Sequence, residues 1–349
     1  MSTWTICGNT LSPGEKRRIV LRVPMGGQPH AAHLDHAPEE CADGGYEIPA
    51  TLVCGRNPGK TLLVSASIHA GEYIGIPAVI RVANEIDPEK LSGNVIFLHC
   101  VNLSGVLTHH YREVPEDFFN LNSKYPGNAE GTPGERIAAW FVREMFPNID
   151  FMMDLHGGSP EELMTPLVFF PHAHKVSETA LNAVKALNIG YMLESYATTG
   201  QYSYAANFFD VPGFLLERGD GVMCTEDKLK ADHDDIRLLM DHLGMYAAEE
   251  GTFDPDLERI IVHKTIYLES DLQGLWYPAV QRGQNLKKGE YLGRIEDFYG
   301  NLLKEYYAED DGRVFYYTQG LAVIPGDALV TYGILSTMED AFTGTVCTK

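Results

Sequence analysis

Short apolar runs that read as fully buried strands alternate with helical patterns between residues 61 and about 250, and this constrains the fold more than any other feature. Thr61–Ile68 (Thr-Leu-Leu-Val-Ser-Ala-Ser-Ile) reads as a fully buried strand, short and bounded by Pro58-Gly59-Lys60. A helical pattern follows from about Ile74 to Ile86, with Val79, Ile80, Val82 and Ala83 on its stripe, stopped by Asp87-Pro88. Asn94–Val101 is a second buried strand. Thr132-Pro133-Gly134-Glu135 opens a helix with Ile137, Trp140, Phe141 and Met145 on one face. The run Phe151–Leu155, a helix near 176–187, the run Gly213–Glu217 and a helix striped by Ile236, Leu239, Met240 and Leu243 complete the alternation. Strands that are apolar on both faces need helices on both faces, so the fold class is α/β.

Residues 1–60 read as short strands and turns, including Arg18–Val23 and Tyr46–Val53. The polar stretch His30–Gly45, with His30, His33 and His36 irregularly spaced, reads as a solvated turn. After about 265 the texture changes to short strands broken by glycine. Gly283–Leu292 and Gly320–Leu329 share the spacing Gly, five residues, Gly, two residues, Leu, which fits a small two-fold β module. Its expected hairpin tip, Asp310-Asp311-Gly312, carries no lysine, so a structural module is expected rather than a carrier arm. The expected organisation is therefore a catalytic domain over 1–264, β-rich over 1–60, and an all-β, barrel-sandwich-like domain over 265–349.

Composition narrows the partners. A formal net charge of −21 excludes nucleic acid and an anionic membrane surface as expected partners. The six cysteines show no metal or redox spacing and read as thiols of a reducing compartment. No window has signal-peptide or membrane-span character, so a cytoplasmic location is expected.

Polar residues where the buried runs end carry the chemistry. His69 and Glu72 stand three residues apart just past the first run, and His156 closes another (Asp154-Leu155-His156). Two imidazoles and a carboxylate match the three protein ligands of a catalytic zinc, which keeps its fourth position for water. Ligands gather at strand carboxyl ends in open α/β sheets. Asp154 shares a strand face with His156, either orienting that ligand or making a structural hydrogen bond. Tyr202 and Tyr204 read first as aromatic packing, with Tyr202 retained as a candidate substrate contact.

With these residues stand Arg112 in Arg-x-x-Pro-x-Asp (to Asp117), Asn120-Leu121-Asn122-Ser123, Phe214-Leu215-Leu216-Glu217-Arg218-Gly219 and the Gly274-Leu-Trp-Tyr-Pro opening of the C-terminal module. Together they make the whole chain resemble the succinylglutamate desuccinylase/aspartoacylase family, relatives of the zinc carboxypeptidases. The resemblance implies a mixed sheet flanked by helices and one Zn2+ per chain held by His69, Glu72 and His156. It implies Glu217 as general base, Arg112 polarising the scissile carbonyl, and a small N-acylated amine or amino acid as substrate. Asn122 matches the asparagine of the family's Asp-Leu-Asn-Arg element, whereas Ser123 replaces its arginine, with Lys124 beside it. A hydroxyl lacks the bidentate charge of a guanidinium, so the leaving amine is expected to carry a neutral, cationic or differently placed polar group. A peptide-cleaving metallocarboxypeptidase and a catalytically silent zinc-binding protein of the same fold remain as alternatives. A homo-oligomer is left open.

Overall fold

The buried runs hydrogen-bond into one mixed sheet, which has thirteen strands among the described residues of this computed structural model, 3–26, 45–221 and 223–336. His30, His33 and His36 lie outside those residues. From one edge the sheet runs Glu162–Met164, Gly312–Thr318, Ala328–Ser336, Ile260–Glu269, Tyr191–Ser195 and Leu167–Pro171. It continues through Gly213–Glu217, Phe151–His156, Asn57–Ala66, Ser92–Leu98, Tyr46–Cys54 and Glu15–Val23, and the thirteenth strand, Asn285–Leu286, pairs with Gly312–Thr318 off this path. Four consecutive strands at its centre, from Gly213–Glu217 to Ser92–Leu98, are mutually parallel. Their carboxyl ends therefore meet at one rim.

Side-chain alternation divides the core into two layers. Leu62, Val64, Ala66, Phe151, Met153, Leu155, Phe214 and Leu216 face the helices Gly75–Glu85, Ser177–Val184 and Glu226–His242. Leu63, Met152 and Leu215 point the other way, against the helices Pro133–Trp140 and Gln201–Phe209. The first helix ends at Glu85, ahead of Asp87-Pro88. At the start of Pro133–Trp140 the Thr132 amide donates to Glu135 Oε2 at 2.9 Å, and the helix loosens into a π turn over Phe141–Met145 that keeps Phe141 and Met145 buried.

The C-terminal residues build a second sheet in the order Leu302–Tyr307, Tyr291–Glu296, Gly274–Pro278 and Ala322–Val323, closed over Trp276, Leu292, Ile295 and Leu329. The glycine repeat has a structural counterpart. Asn285–Leu286 and Ala322–Val323 are short strands, Gly289 and Gly326 turn with φ of 83° and 94°, and Leu292 and Leu329 are fully buried. The segment is also stitched into the main sheet. Ile260–Glu269 spans residue 264 and lies parallel to Tyr191–Ser195 on one side and antiparallel to Ala328–Ser336 on the other.

Candidate active site

Three neighbouring parallel strands deliver the polar residues expected to work together. Glu217 and His156 are cross-strand partners at the ends of Gly213–Glu217 and Phe151–His156. On the far side of His156, Ala66 pairs with Leu155, so the chain leaving Asn57–Ala66 carries His69 to the same rim. Ser67 turns that chain with φ of 60°, a left-handed conformation that costs a non-glycine residue about 1–3 kcal/mol and marks a constrained site. The Asn102 amide holds the turn by donating to the Ser67 carbonyl at 2.9 Å.

His69, Glu72 and His156 converge, with one ligand atom from each lying within 4.8 Å of the others. Glu72 sits between the imidazoles, its Oε1 2.8 Å from His69 Nδ1 and its Oε2 2.9 Å from His156 Nδ1. The ring centroids are 5.0 Å apart and nearly perpendicular. Both Nδ1 atoms face the carboxylate, as two nitrogen ligands and one oxygen ligand of a single ion would. Electrostatics points the same way. Burial disfavours charge on His156, yet Glu72 and Asp154 outweigh it and hold the imidazole well above its usual range. Burial likewise opposes charge on Glu72, and the two imidazoles lower its pKa to about 2. Glu72 Oε2, His156 Nε2 and Asp154 Oδ2 are buried without a well-formed hydrogen bond. Such a site is short of one positive centre, and an N2O donor set of this kind suits zinc.

Asn120, which the sequence reading passed over as a functional residue, fixes the state of His69. Its Oδ1 accepts from the Asn122 backbone amide at 2.9 Å and lies 3.0 Å from His69 Nε2. A backbone N–H only donates, so the amide oxygen is the atom facing His69, and Nε2 must carry the proton. That leaves the Nδ1 lone pair for a metal, which is how an outer partner usually sets a ligand tautomer. The signal was present, since Asn120 stands where the Asp-Leu-Asn-Arg element has its aspartate. Asp154 is fully buried, with Oδ1 accepting from Ser65 Oγ at 2.9 Å and Oδ2 3.3 Å from His156 Nε2.

A cavity of about 380 Å³ opens on this centre and is lined by His69, Glu72, Arg112 and Glu217. Burial, and then the Glu72 carboxylate, holds Glu217 well above the usual carboxylate range. Arg112 is exposed and makes no ion pair among the described residues. The C-terminal segment adds Tyr267, Glu269, Tyr316, Thr318 and Asp327 to the cavity wall, and Glu161 and Glu162 line it as well. No sequence pattern marked that wall. The remaining expected substrate contacts do not line the cavity. Asn122 Oδ1 accepts from the Gln201 amide at 2.8 Å, Ser123 donates to the Asn120 carbonyl at 2.7 Å, and Lys124 Nζ lies 3.4 Å from the Phe119 ring centre. Tyr202 is buried in the core beneath.

Residues 58–243 match the family described as the succinylglutamate desuccinylase/aspartoacylase catalytic domain. The N-alpha-acetyl-L-2,4-diaminobutyric acid deacetylase of Halomonas elongata is 28% identical over 284 residues, covering 78% of this chain and 82% of that protein. A succinylglutamate desuccinylase from Silicibacter sp. TM1040 superposes with a TM-score of 0.78 at 22% identity, covering 93% of this chain and 97% of that one. The product-bound ectoine utilization protein EutE (DoeB) of Ruegeria pomeroyi gives 0.77 at 23% identity, covering 91% and 95%. Among the described residues no helix is long and apolar enough to cross a membrane.

Proposed function

The chain belongs to the succinylglutamate desuccinylase/aspartoacylase family and is a hydrolase of amide bonds; from this premise we propose that it is a zinc-dependent deacylase acting on small N-acylated amines. The observation that carries the reading is the His69–Glu72–His156 cluster at the base of a cavity shared with Glu217 and Arg112. Zinc bound by that cluster would supply a Lewis acid and a water acidic enough to attack at neutral pH. Glu217, ending the strand beside His156 and lining the same cavity, would take the attacking water's proton and return it to the departing nitrogen. Arg112 meets the negative charge that develops on the carbonyl oxygen, a role whose loss typically costs about 10²- to 10³-fold in rate.

The leaving amine carries a second, cationic group in this reading. Arg112 is the only arginine or lysine among the lining residues, against Glu161, Glu162, Glu269 and Asp327, none of which is in an ion pair among the described residues. Ser123 offers no charge for a carboxylate, and the Halomonas deacetylase is named for a diamino acid. A peptide substrate is disfavoured because a C-terminal carboxylate would meet this acidic wall.

The test is hydrolysis of N-acetyl amines that differ only in an ammonium, neutral or carboxylate end group, before and after chelation. Activity should disappear with the metal, return on adding zinc and favour the ammonium series. Glu217→Ala should abolish turnover with zinc retained, and His156→Ala should lose both. Full activity after complete metal removal, or a preference for the carboxylate series, would end the proposal.

A further inference from the structure

The strand that ends in Glu217 does not stop at the cavity. Its next side chain, Arg218, points through the opposite layer into a buried pocket on the Glu226–His242 helix. There it meets two aspartates one helical turn apart. Arg218 Nη1 bonds Asp232 Oδ1, and Nη2 bonds Asp235 Oδ2 at 2.5 Å. Arg218 is 4% exposed, and neither aspartate is exposed at all.

The fork is tied to both halves of the site. The Arg218 amide donates to the His156 carbonyl at 3.1 Å, so the same residue grips the strand end that carries the expected metal ligand. Packing admits no slack there, because a Cβ at Gly157 would lie 2.4 Å from the Arg218 carbonyl oxygen. The aspartates are anchored in turn: Asp235 Oδ1 accepts the Asn188 amide at 2.7 Å, which joins the helix to the loop before Tyr191–Ser195. Two carboxylates face one guanidinium, and burial followed by Asp235 lifts Asp232 to about 7 against the pull of Arg218. Stability alone does not account for such a group, since apolar residues of similar size often serve a buried site as well or better. What the triad supplies is direction, because a planar fork bound at both tines fixes a strand end in position and rotation.

We propose that Arg218, clamped by Asp232 and Asp235, is a positioning residue that sets Glu217 against His156 from the far side of the sheet. It touches neither substrate nor metal. The inference rests on the deacylase reading for its kinetic consequence, whereas its geometric consequence is independent of any substrate.

Two variants test it, Arg218→Met and the apolar triple Arg218→Met/Asp232→Leu/Asp235→Leu. The single change leaves buried carboxylates unmatched and is expected to lower the thermal midpoint, while the triple removes all the charges and is expected to recover it. Both should bind one zinc per chain with kcat reduced about 10- to 100-fold and KM within about threefold of the parent, the signature of misplaced groups rather than lost binding. In the cobalt-substituted protein the visible absorption bands should shift in the triple variant, and the Arg218 amide should lose protection from hydrogen exchange. A stable, zinc-loaded triple variant with parental kcat would overturn the proposal, as would an unchanged cobalt spectrum with unchanged exchange. Should the parent hydrolyse no N-acyl amine, the deacylase reading fails, and the cobalt and exchange measurements still decide the role of Arg218.

Discussion

A proton on His156 Nδ1 and a metal ion held there would compete for the Glu72 carboxylate, while Asp154 faces Nε2 on the other side of the ring. Without metal the competition has a measurable consequence. Burial, and then Glu72, raises Glu217, so the native state keeps a proton that an unfolded chain releases above about 4.5. Burial opposes charge on His156, but Glu72 and Asp154 override it, so the native state also keeps a proton released above about 6.5 when unfolded. Both groups make the native state bind more protons than the unfolded one, so stability falls as pH rises. Thermal unfolding of the zinc-free protein should therefore move to lower temperature between about pH 5 and 8, and Glu217→Gln should flatten that slope. A midpoint rising across this range would contradict the assignment. Asn120→Ala should weaken zinc about 10- to 100-fold by freeing the His69 tautomer, as competition with a chromophoric chelator would reveal. That His69, Glu72 and His156 would stand apart from their surroundings was legible because His and Glu follow or close apolar runs, and the structure brings the three together. The role of Asn120 was not, since it depends on a side-chain orientation fixed by a backbone amide.

Parallel pairing between Gly213–Glu217 and Phe151–His156 is the element that makes the site, and it leaves no room for a side chain at Gly213. A Cβ there would lie 2.6 Å from the Met152 carbonyl oxygen. Gly213→Ala should push these strands apart, lowering stability by about 1–3 kcal/mol, the usual cost of overpacking. Denaturant unfolding checks this, and an unchanged midpoint would mean that the strands yield freely. Element types could be read from the sequence because periodicity is local. The continuous run Leu62–Ala66 appears as the pattern requires, and of the expected helix stripe Val79, Val82 and Ala83 are buried whereas Ile80 is exposed. The π turn at Phe141–Met145 was not legible, because it follows from keeping Phe141 and Met145 buried against a core assembled elsewhere.

On the scale of the molecule, the C-terminal residues complete both the main sheet and the cavity wall. Removing everything after Glu258 would bare the Tyr191–Ser195 edge and delete Tyr267, Glu269, Tyr316 and Asp327 from the cavity. Such a truncation should lose the cooperative thermal transition and bind a hydrophobic dye; a sharp, reversible transition would instead mark the first 258 residues as self-sufficient. The sequence by itself marked several of the buried runs and the polar side chains just past them, because these features repeat over a few residues. It did not mark Leu167–Pro171 and Tyr191–Ser195 as strands, and the runs expected to reach Ile68 and Val101 end at Ala66 and Leu98. Only the tertiary structure decided that Gly213–Glu217 lies beside Phe151–His156, and that Glu269 and Asp327 line one cavity with Arg112. It alone sends Asn122, Ser123 and Lys124 to local partners and carries Arg218 to a distant helix. Those outcomes depend on strand order and on contacts between residues far apart in the chain, which no local period encodes.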